Sequence, residues 1–492
     1  MTRDVLGDLR SRLPTVGERR VAVRATPDAI RHLRRGDPWL FDGSVALSGT
    51  SAISGTSSSE TAAPGDLAVV FDAKRQFVAI GLWDPASPIR VKVLHHGEPR
   101  RIDASFWRER ITTALERRST LAADPDTTAY RCVHGENDRL PSFVVDRYDR
   151  SLVVKLYSAI WFPHLAAVVA TLCEAIDPER VVLRLARNVG KGETFGLADG
   201  DTIVGTPPDG PVRFRERGLT LEADLVRGHK TGHFLDQRDN RALVRSMTLG
   251  ARVLDVFAST GGFSVAAAAG GATSVDLIDV SGPALRTAER NIAHNRFIGA
   301  VRACKVHTST GDAFVEMERL RRRELRFDLV VLDPPSFAQR LADVPNALRS
   351  YARLTKAAVG LLEQGGALVQ SSCSSRVTAD EFFATLHDAA ASAGVELREI
   401  RRTGHPVDHP IGFEHGSYLK TLFARVEPAH RRMPRRPDVT ISRAASTVDR
   451  SSPPPTIGSE PTGGSFPKSS PTRGMLPNGD LAKRGDVEGQ GR

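Results

Sequence analysis

Short apolar runs alternate with helix-like segments through the second half of the chain. Four of these runs are ARVLDVF, TSVDLIDV, FDLVVLD and GALVQSS, which begin at Ala251, Thr273, Phe327 and Gly366. Apolar runs of this length are typical of strands that are buried on both faces of a parallel sheet. Because the runs alternate with helical patterns, we predict an α/β domain with a doubly wound, Rossmann-like sheet over residues 223–426.

The composition sets broad limits on the rest of the chain. The 492 residues are 40% hydrophobic and 26% charged, which is typical of a globular protein with two or three domains. The net charge of +10 favours a polyanionic partner such as nucleic acid, although solubility alone would also account for it. The N-terminus is charged and no apolar stretch approaches membrane-spanning length, so we expect neither a signal peptide nor a membrane partner.

The remaining segments differ in pattern. Residues 20–100 contain β-rich runs such as VAVRA and FVAIGLWD and predict a small β-rich domain, with a Ser-rich flexible insertion at 48–65. Residues 101–222 mix helix and strand patterns and predict a small α/β middle domain. Residues 1–19 form an N-terminal extension, and residues 427–492, rich in Pro, Gly and Ser, predict a disordered tail.

The sharpest local pattern is VLDVFASTGGFSVAAAAGG, in which a buried strand ends, a glycine turn follows and an Ala-rich helix begins. Asp255 lies at the strand end, and Gly261 and Gly262 lie in the turn. Glycines let a backbone pass close to a ligand, and the N-terminus of a helix favours negative charge. Alone, the loop is equally compatible with an ordinary tight turn.

Acidic residues follow each of the later strands. Asp279 ends the second strand, where it can accept hydrogen bonds from ribose hydroxyls, Asp312 follows a third strand, where it can contact adenine, and Asp333 ends a fourth. The complete G-x-G-x-x-G of nicotinamide enzymes and the Walker lysine motif are both missing, which disfavours a dehydrogenase. The ordered set of acids resembles the pattern of class I methyltransferases, which bind S-adenosylmethionine (SAM).

The fourth strand is followed by DPPSF, which comprises Asp333, Pro334, Pro335, Ser336 and Phe337. Proline fixes φ and donates no hydrogen bond, so this loop is stiff and its carbonyls have fixed directions. In class I methyltransferases a loop of this form meets a planar amine or a nucleobase. We therefore predict that Asp333 hydrogen-bonds a base and that Phe337 stacks on it, without specifying which atom is methylated.

Cys373 lies just past the fifth predicted strand, in SSCSS. C5 of cytosine is a poor nucleophile until a thiolate adds to C6, and cysteine combines this nucleophilicity with ready departure. The position therefore predicts a nucleophile for methylation at a ring carbon. A small, inert, buried cysteine is an equally good interpretation of position alone.

The other cysteines are weaker candidates. Cys173 lies in an apolar helix pattern and Cys304 in a predicted strand, so both are expected in the core, whereas Cys132 precedes a loop and could be exposed. The four cysteines form no CxxC pair or Cys/His cluster. We therefore expect no disulfide framework, no metal site and a cytoplasmic location.

Several motifs in order resemble those of the large-subunit (23S) ribosomal RNA cytosine-C5 methyltransferases. These bacterial proteins join an N-terminal PUA domain, a small middle domain and a class I methyltransferase domain, and the resemblance covers roughly residues 20–426. The motifs, besides SSCSS, are RHLRRGDPWLF (31–41), HGENDRLPSFVVDRY (134–148), GHKTGHFLDQRDNR (228–241) and DHPIGFEHGSYLK (408–420).

The resemblance implies that SAM is the cofactor and that these residues hold it: Asp255, Phe257, Thr260, Gly261, Gly262, Asp279, Asp312, Asp333, Phe234 and Gln237. Asp236 and Arg238 are implied to belong to the same pocket. Each has an alternative role, since Phe234 could be a core residue, and Asp236 and Arg238 could pair with each other or cap the following helix.

The resemblance also implies ribosomal RNA as the partner, Cys373 as the nucleophile and Asp333 as the group that polarises the cytosine. The substrate contacts are expected from Pro334, Pro335, Phe337, Arg238, Arg34 and Arg35. Arg31 belongs with the basic residues of the PUA-like domain, where Trp39 is a stacking or, preferably, a core residue. A paired target base would have to be flipped out to reach Cys373.

Other features stay open. Asp408 and His409 are candidates for the base that removes the C5 proton, with a structural role in their loop as the alternative. Ser336 stands where some members of the family have Lys, so contacts to the RNA backbone could differ. The rival functions are N-methylation of guanine or adenine in RNA, N-methylation of a small molecule, and RNA binding in ribosome assembly without catalysis. A homodimer is plausible.

Overall fold

The structure is a computed structural model that describes residues 2–15, 20–45, 56–57, 62–228 and 231–429. All of these residues belong to one unit, Met1–Arg431. The predicted disordered tail lies outside the described residues except for residues 427–429, of which Glu427 and Pro428 belong to the last strand.

The N-terminal part of the chain forms a six-stranded sheet with the strand order β2-β6-β5-β4-β1-β3. Its strands coincide with the β-rich runs of the sequence, and one helix, α2, covers the sheet. In chain order the elements are α1 (Thr2–Arg12), β1 (Arg20–Arg24), α2 (Pro27–Arg34), β2 (Trp39–Phe41), β3 (Thr56–Ser57), β4 (Leu67–Phe71), β5 (Phe77–Trp83) and β6 (Ile89–His96).

Helix α2 begins at Pro27 because the Thr26 hydroxyl accepts a hydrogen bond from the amide of Ala29 (3.4 Å). Its apolar face is buried against the sheet, and this leaves Arg31, Arg34 and the following Arg35 exposed to solvent. The predicted insertion at 48–65 lies mostly outside the described residues. Within it, β3 pairs in parallel with β1.

The middle domain contains a five-stranded sheet with the order β11-β10-β9-β8-β7. Two consecutive helices precede its first strand. The elements are α3 (Ala104–Glu116), α4 (Ser119–Ala122), β7 (Ala129–His134), β8 (Phe143–Tyr148), β9 (Ser151–Leu156), α5 (Phe162–Ile176), β10 (Arg180–Leu185) and β11 (Thr202–Val204). Leu9 and Leu13 of the N-terminal extension are buried in the core of this domain.

Helix α5 corrects one expectation from the sequence. The segment Ala159–Ile176 is long and apolar enough to meet a length-and-composition criterion for a membrane span, although no such stretch was expected. In the structure α5 packs inside the middle domain, where residues such as Phe162, Leu165 and Leu172 are buried with the strands. Its apolar character is therefore that of a core helix.

The C-terminal domain begins with the hairpin of β12 (Val212–Glu216) and β13 (Leu219–Ala223). The sequence assigned residues up to 222 to the middle domain, so its boundary falls inside this hairpin. The buried residues Phe214 and Leu221 belong to the same core as Val253 of the large sheet. The hairpin therefore packs with the C-terminal domain.

The rest of the domain is a seven-stranded sheet between helices, with the order β16-β15-β14-β17-β18-β20-β19. The elements are α6 (Arg238–Ser246), β14 (Arg252–Val256), α7 (Gly262–Ala269), β15 (Ser274–Asp279), α8 (Gly282–His294), α9 (Gly299–Ala303), β16 (Lys305–Thr310), α10 (Ala313–Arg322), β17 (Phe327–Leu332), α11 (Val344–Val359), β18 (Leu362–Ser372), α12 (Ala379–Ser392), β19 (Val395–Thr403) and β20 (Lys420–Pro428). The predicted doubly wound sheet is confirmed, with β20 antiparallel to both of its neighbours.

Two predictions about cysteines are wrong. Cys132 is fully buried within β7, because its side chain points into the core of the middle domain. Cys304 does not lie in a strand but caps the end of α9, one residue before β16, and it is only half-buried. Cys173 lies on α5 as predicted and is also half-buried.

Candidate active site

The predicted acids and Cys373 meet at one edge of the C-terminal sheet. Strands β16, β15, β14, β17 and β18 run parallel, so their carboxyl ends lie side by side. Asp255 is the second-last residue of β14, Asp279 ends β15, and Asp333 directly follows β17. Cys373 directly follows β18. The order of strands thus places the predicted cofactor residues beside the predicted nucleophile.

Asp255 is the most deeply buried of these acids. Its Oδ2 accepts a hydrogen bond of 2.6 Å from the Ser264 hydroxyl at the start of α7. Its Oδ1 is buried and has no hydrogen-bond partner among the described residues. Burial raises the pKa of Asp255 to about 7. A buried acceptor without a partner costs free energy, so this oxygen is suited to receive a donor from a bound molecule.

The loop after β14 has an unusual backbone. Phe257 and Ser259 adopt positive φ angles of 64° and 50°, which are rare for residues other than glycine. Gly261 has φ 74°, and a Cβ atom on it would lie 2.6 Å from the Cβ of Ala288 on α8. A Cβ on Gly262 would lie 2.9 Å from the Arg241 side chain. The two glycines therefore let the loop fit between α8 and α6.

Asp279 and Asp312 are also fixed by backbone contacts. Asp279 accepts hydrogen bonds of 2.8 Å from the amides of Ser259 and Ser281. Asp312 follows β16 and caps α10 by accepting a bond from the amide of Phe314 (2.9 Å). Asp312 is exposed, so it keeps a free face despite its capping role.

Thr260 lies in the same loop. Its hydroxyl is 3.4 Å from Nδ1 of His233, and its carbonyl accepts a bond from the Asn291 side chain. Taken together, this half of the site fits SAM. The buried Asp255 oxygen suits a cationic donor, and Asp279 and Asp312 lie at successive strand ends that suit ribose hydroxyls and an amino group.

The DPP loop and the cysteine loop contact each other. The sulfur of Cys373 lies 3.8 Å from the carbonyl oxygen of Pro334, which is buried. One residue further on, the Ser374 hydroxyl donates to the carbonyl of Ala338 (2.9 Å). The structure therefore brings the predicted nucleophile to the loop that begins with Asp333.

Asp333 is held by a residue from the motif at 228–241. The side-chain amide of Gln237 donates to Oδ1 of Asp333 at 2.8 Å, and Asn240 donates to the Gln237 oxygen at 2.6 Å. Burial, together with the charge of Asp236, raises the pKa of Asp333 to about 7. Asp333 is half-buried at the edge of the sheet, so it can contact a ligand in its neutral form.

Asp236 accepts a hydrogen bond of 2.9 Å from the hydroxyl of Tyr418. The backbone at Tyr418 is fixed by His405, whose Nε2 accepts from the amides of Tyr418 (3.1 Å) and Leu419 (3.0 Å). Burial lowers the pKa of His405 to about 4, which keeps the imidazole neutral and able to accept. Arg238 pairs with Asp408, which disfavours the alternative of an ion pair between Asp236 and Arg238.

Lys420 is a site residue for which the sequence suggested no role. Its buried ammonium donates to the carbonyls of Ser374 and Val377, in the loop that follows Cys373, and to the carbonyl of Tyr418. Burial lowers the pKa of Lys420 to about 8. The available signal was a lysine at the end of a motif otherwise rich in loop residues. Its role here is to fix the course of the cysteine loop.

Arg238 lies away from the open face of the site. Its guanidinium forms two hydrogen bonds to Asp408, of 2.7 and 3.0 Å, and neither side chain is more than 1% exposed. This burial contradicts the expectation that Arg238 contacts the substrate. The backbone amide of Arg131 also donates to Asp408 (3.0 Å), so the pair ties α6 to the middle domain.

The contacts of Asp408 and His409 also indicate whether either residue can act as the base that removes the C5 proton. Burial alone would raise the pKa of Asp408, but hydrogen bonds and charges from His409 and Arg238 outweigh it and hold that pKa well below the ordinary value. A carboxylate so strongly paired is a weak base. His409 is also buried, with its ring 5.0 Å from that of His134. These placements favour the structural role for both residues.

The remaining predicted contacts are spread around the site. Phe337 is half-buried, with its ring 5.1 Å from that of Tyr351, while Pro335 is exposed. Phe234 is half-buried and lines a cavity of about 500 Å³ with Asp236. Phe337 therefore packs partly against protein, and stacking on a base would use the part of its ring that stays exposed.

The basic residues of the N-terminal domain differ in their pairing. Arg31 pairs with Asp28 (2.6 Å), and Arg34 pairs with Asp72 (2.9 Å). The Trp39 ring lies 4.9 Å from that of Phe413, and its indole N–H donates to Glu136 (3.3 Å). Trp39 is thus neither a free stacking surface nor a residue of the domain core, but a contact between domains.

Comparison with known proteins defines the class of this fold and site. The sequence model described as S-adenosylmethionine-dependent methyltransferase matches residues 202–425, and that of a PUA-like domain matches residues 23–96. A SAM-dependent methyltransferase from Streptococcus mutans has the same fold, with a TM-score of 0.68 at 19% identity, and covers 82% of this chain and 100% of its own. The fold and the site thus define a SAM-dependent methyltransferase with a PUA-like domain.

Curated relatives narrow the class to a family. The ribosomal RNA large subunit methyltransferase of Deinococcus radiodurans is 40% identical over 84% of this chain and 99% of its own length. Ribosomal RNA large subunit methyltransferase I of Escherichia coli is 33% identical over 80% of this chain and 97% of its own length. The chain belongs to this family of methyltransferases, and SAM is its cofactor.

Proposed function

We propose that this protein methylates C5 of a cytosine in large-subunit ribosomal RNA through a covalent intermediate on Cys373. The observation that carries the proposal is the contact between the Cys373 sulfur and the carbonyl of Pro334, at 3.8 Å. It places a thiol beside the loop that begins with Asp333, at the same sheet edge as the cofactor residues. Nitrogen methylation has no use for a nucleophile at this point.

Ribosomal RNA as the substrate is supported by the names of the relatives and by the charge of the chain. Relatives that match over nearly their whole length are ribosomal RNA large subunit methyltransferases. The net charge of +10 favours a polyanion. A substrate of this kind also agrees with a cytoplasmic location.

The chemistry follows from the residues that meet at the site. The Cys373 thiolate forms a bond to C6 of cytosine, and the electron pair of the C5–C6 double bond becomes available at C5. When bound, SAM supplies an electrophilic methyl group, which C5 accepts. A base then removes the C5 proton, the C5–C6 double bond re-forms, and the bond between C6 and sulfur breaks to release Cys373.

Asp333 recognises and polarises the base. In its neutral form, one oxygen donates a hydrogen bond to N3 of cytosine and the other accepts from the exocyclic amine. This pairing withdraws electron density from the ring and makes C6 more reactive toward sulfur. A pKa of about 7 makes the neutral form available at physiological pH. Gln237 holds the carboxyl in place, and Lys420 does the same for the cysteine loop.

The cofactor residues orient the methyl donor. Asp255 offers its unpartnered oxygen to the cationic methionine portion, while Asp279 and Asp312 receive the ribose and adenine. The loop from Phe257 to Gly262 connects β14 to α7 beside these acids. We propose that these contacts direct the methyl group toward the DPP loop.

Methyl transfer to purified large-subunit ribosomal RNA tests the proposal directly. Labelled SAM is incubated with wild type, Cys373→Ala and the control Cys304→Ala, and the RNA is digested to nucleosides. Cys304 is a suitable control because it is also half-buried but lies at the end of α9. We expect label in 5-methylcytidine, a loss of about 10³-fold or more with Cys373→Ala, and no change with the control.

Other outcomes would each reject a different part of the proposal. Label in a methylated guanosine or adenosine, undiminished in Cys373→Ala, would reject the cysteine mechanism and support N-methylation. SAM binding without transfer to any RNA, by the wild type, would favour the role in ribosome assembly. Loss of SAM binding in Cys373→Ala would mean that the variant is damaged, and Cys373→Ser would then replace it.

A further inference from the structure

A second and larger cavity, of about 920 Å³, lies where the three domains meet. It is lined by the end of α2 and by β2 from the N-terminal domain, by residues 136–139 from the middle domain, and by residues 410–413 from the C-terminal domain. Ser375 and Arg376, in the loop that follows Cys373, also line it. The cavity therefore leads from the N-terminal domain toward the proposed nucleophile.

Four arginines line this cavity. Arg117 pairs with Asp138 (2.9 Å), and the other three, Arg35, Arg139 and Arg376, come one from each domain. All three are exposed. Throughout the part of the chain that the structure describes, their side chains form no hydrogen bond or ion pair with protein. This distinguishes them from Arg31 and Arg34, which are paired with carboxylates.

The acidic residues of the cavity are already engaged. Asp28 pairs with Arg31, and Asp37 accepts a bond from the amide of Trp39 (3.1 Å). Glu136 accepts from the indole of Trp39 and from the amide of Ser142 (3.2 Å). In the described part of the chain none of these carboxylates forms an ion pair with Arg35, Arg139 or Arg376, so the three guanidinium groups are available to hydrogen-bond an anionic ligand.

The backbone of Arg139 supports a specific role for its side chain. Arg139 adopts φ 58°, a left-handed conformation that costs free energy in any residue other than glycine. The turn is held by hydrogen bonds from the amides of Arg139 and Leu140 to the carbonyls of Glu136 and Gly135 (both 3.0 Å). The structure thus maintains a strained turn that presents an unpaired arginine to the cavity.

This cavity adjoins the cavity of about 500 Å³ beside Asp236 and Tyr418. The two share lining residues, which are Trp39, Glu136, Asn137, Ser375, Phe413 and His415. Trp39 and Phe413, whose rings contact each other, line both cavities. A single groove therefore runs from Arg35, past Arg139 and Arg376, to the neighbourhood of the DPP and cysteine loops.

We propose that this three-domain groove binds the RNA strand that flanks the target nucleotide, with Arg35, Arg139 and Arg376 each contacting a phosphate. The inference rests on the proposed function, and it makes the middle domain a direct RNA-binding element. A guanidinium binds phosphate through two parallel hydrogen bonds, so three arginines along a groove suit a phosphodiester backbone. Phosphate contacts of this kind fix the register of the strand.

The test compares two triple variants with the same change in charge. In the groove variant Arg35, Arg139 and Arg376 are replaced by Gln. In the control variant the replaced residues are Arg75, Arg187 and Arg302, one from each domain, which are exposed, unpaired in the described structure and outside the groove. Binding to large-subunit ribosomal RNA is measured at several salt concentrations, with thermal melting of each variant as a check of folding.

Each lost phosphate contact reduces the slope of log K against log salt by about 0.7 to 0.9. We expect the groove variant to bind more weakly with a slope smaller by about 2 to 3, and the control variant to match the wild type. Equal slopes for the groove variant and the wild type, or an equal loss in the control, would overturn the inference. Normal binding to free RNA with loss of methylation only on assembled subunits would indicate a protein partner and also overturn it.

These outcomes are separable from failure of the proposed function. If the wild type transfers methyl to cytosine but the groove variant binds RNA normally, only the groove is rejected. If the wild type transfers no methyl to RNA, the proposed function is rejected whatever the slopes show. Single variants, beginning with Arg139→Gln, then determine whether the middle domain contributes its own share of the slope.

Discussion

The two halves of the active-site edge are assembled differently. On the cofactor side, side chains contact residues close to them in the chain: Asp255 and Ser264 are 9 residues apart, and Asp279 and Ser259 are 20 apart. On the substrate side, contacts join distant segments. Gln237 and Asp333 are 96 residues apart.

The long separations continue around the substrate side. The contact between Asp236 and Tyr418 joins residues that are 182 apart, and that between Arg238 and Asp408 joins residues 170 apart. The contacts of the cofactor side therefore lie within one strand–loop–helix unit or between two successive units of the sheet. The substrate side exists only when α6, the loop before β20 and the middle domain have come together.

The largest expected effect is on stability, from the buried pair of Arg238 and Asp408. We predict that Arg238→Met lowers the free energy of unfolding by about 3–5 kcal/mol, because it leaves a carboxylate buried without its partner. The measurement is urea denaturation. The matched control is Arg217→Met, which breaks a half-exposed pair with Asp239 and should cost less than about 1 kcal/mol. Equal costs would mean that the substrate side does not depend on this long-range pair.

The second-largest expected effect is on the rate of methyl transfer, from the contact between Gln237 and Asp333. We predict that Gln237→Leu lowers kcat about 10²-fold while leaving the affinity for SAM unchanged, because Asp333 loses the donor that fixes it. Ser264→Ala should behave in the opposite way, with weaker SAM binding, since it releases Asp255. The measurements are methyl transfer and titration with SAM. If Gln237→Leu weakens SAM binding as much as activity, Gln237 is a cofactor residue, as the sequence predicted.

The same difference explains what the sequence could predict. The fold class, the cofactor and the family are confirmed, and each depended on local motifs such as the strand, turn and helix around Asp255 and Gly261. The choice of site residues stays a prediction. Sequence alone could place Cys373 after a strand, but only the order of strands brings it to Pro334.

The errors have a common physical cause. The expectation that Arg238 contacts the substrate rests on the resemblance alone, and its buried partner Asp408 lies too far along the chain to be recognised from sequence. Lys420 was given no role for the same reason, since its three carbonyl partners become neighbours only when β20 joins the sheet. Burial and pairing over long separations are properties of the tertiary structure.

The smallest expected effect is the pH dependence of stability that comes from Asp255 on the cofactor side. With its pKa raised to about 7, folded Asp255 keeps its proton to a higher pH than an unfolded Asp, whose pKa is 3.8. The stability that this proton confers is therefore complete at low pH and is lost as the pH rises toward 7. Asp255→Asn removes the ionisation, so we predict that the variant gains stability relative to the wild type between pH 5 and pH 8, by about 1–3 kcal/mol.

Thermal melting of Asp255→Asn and wild type across this pH range measures the gain, and titration with SAM should show weaker binding by the variant. A constant difference in melting temperature between the two proteins at all pH values would mean that Asp255 is already ionised in the folded protein. The cofactor side would then contain a buried carboxylate rather than a neutral acid.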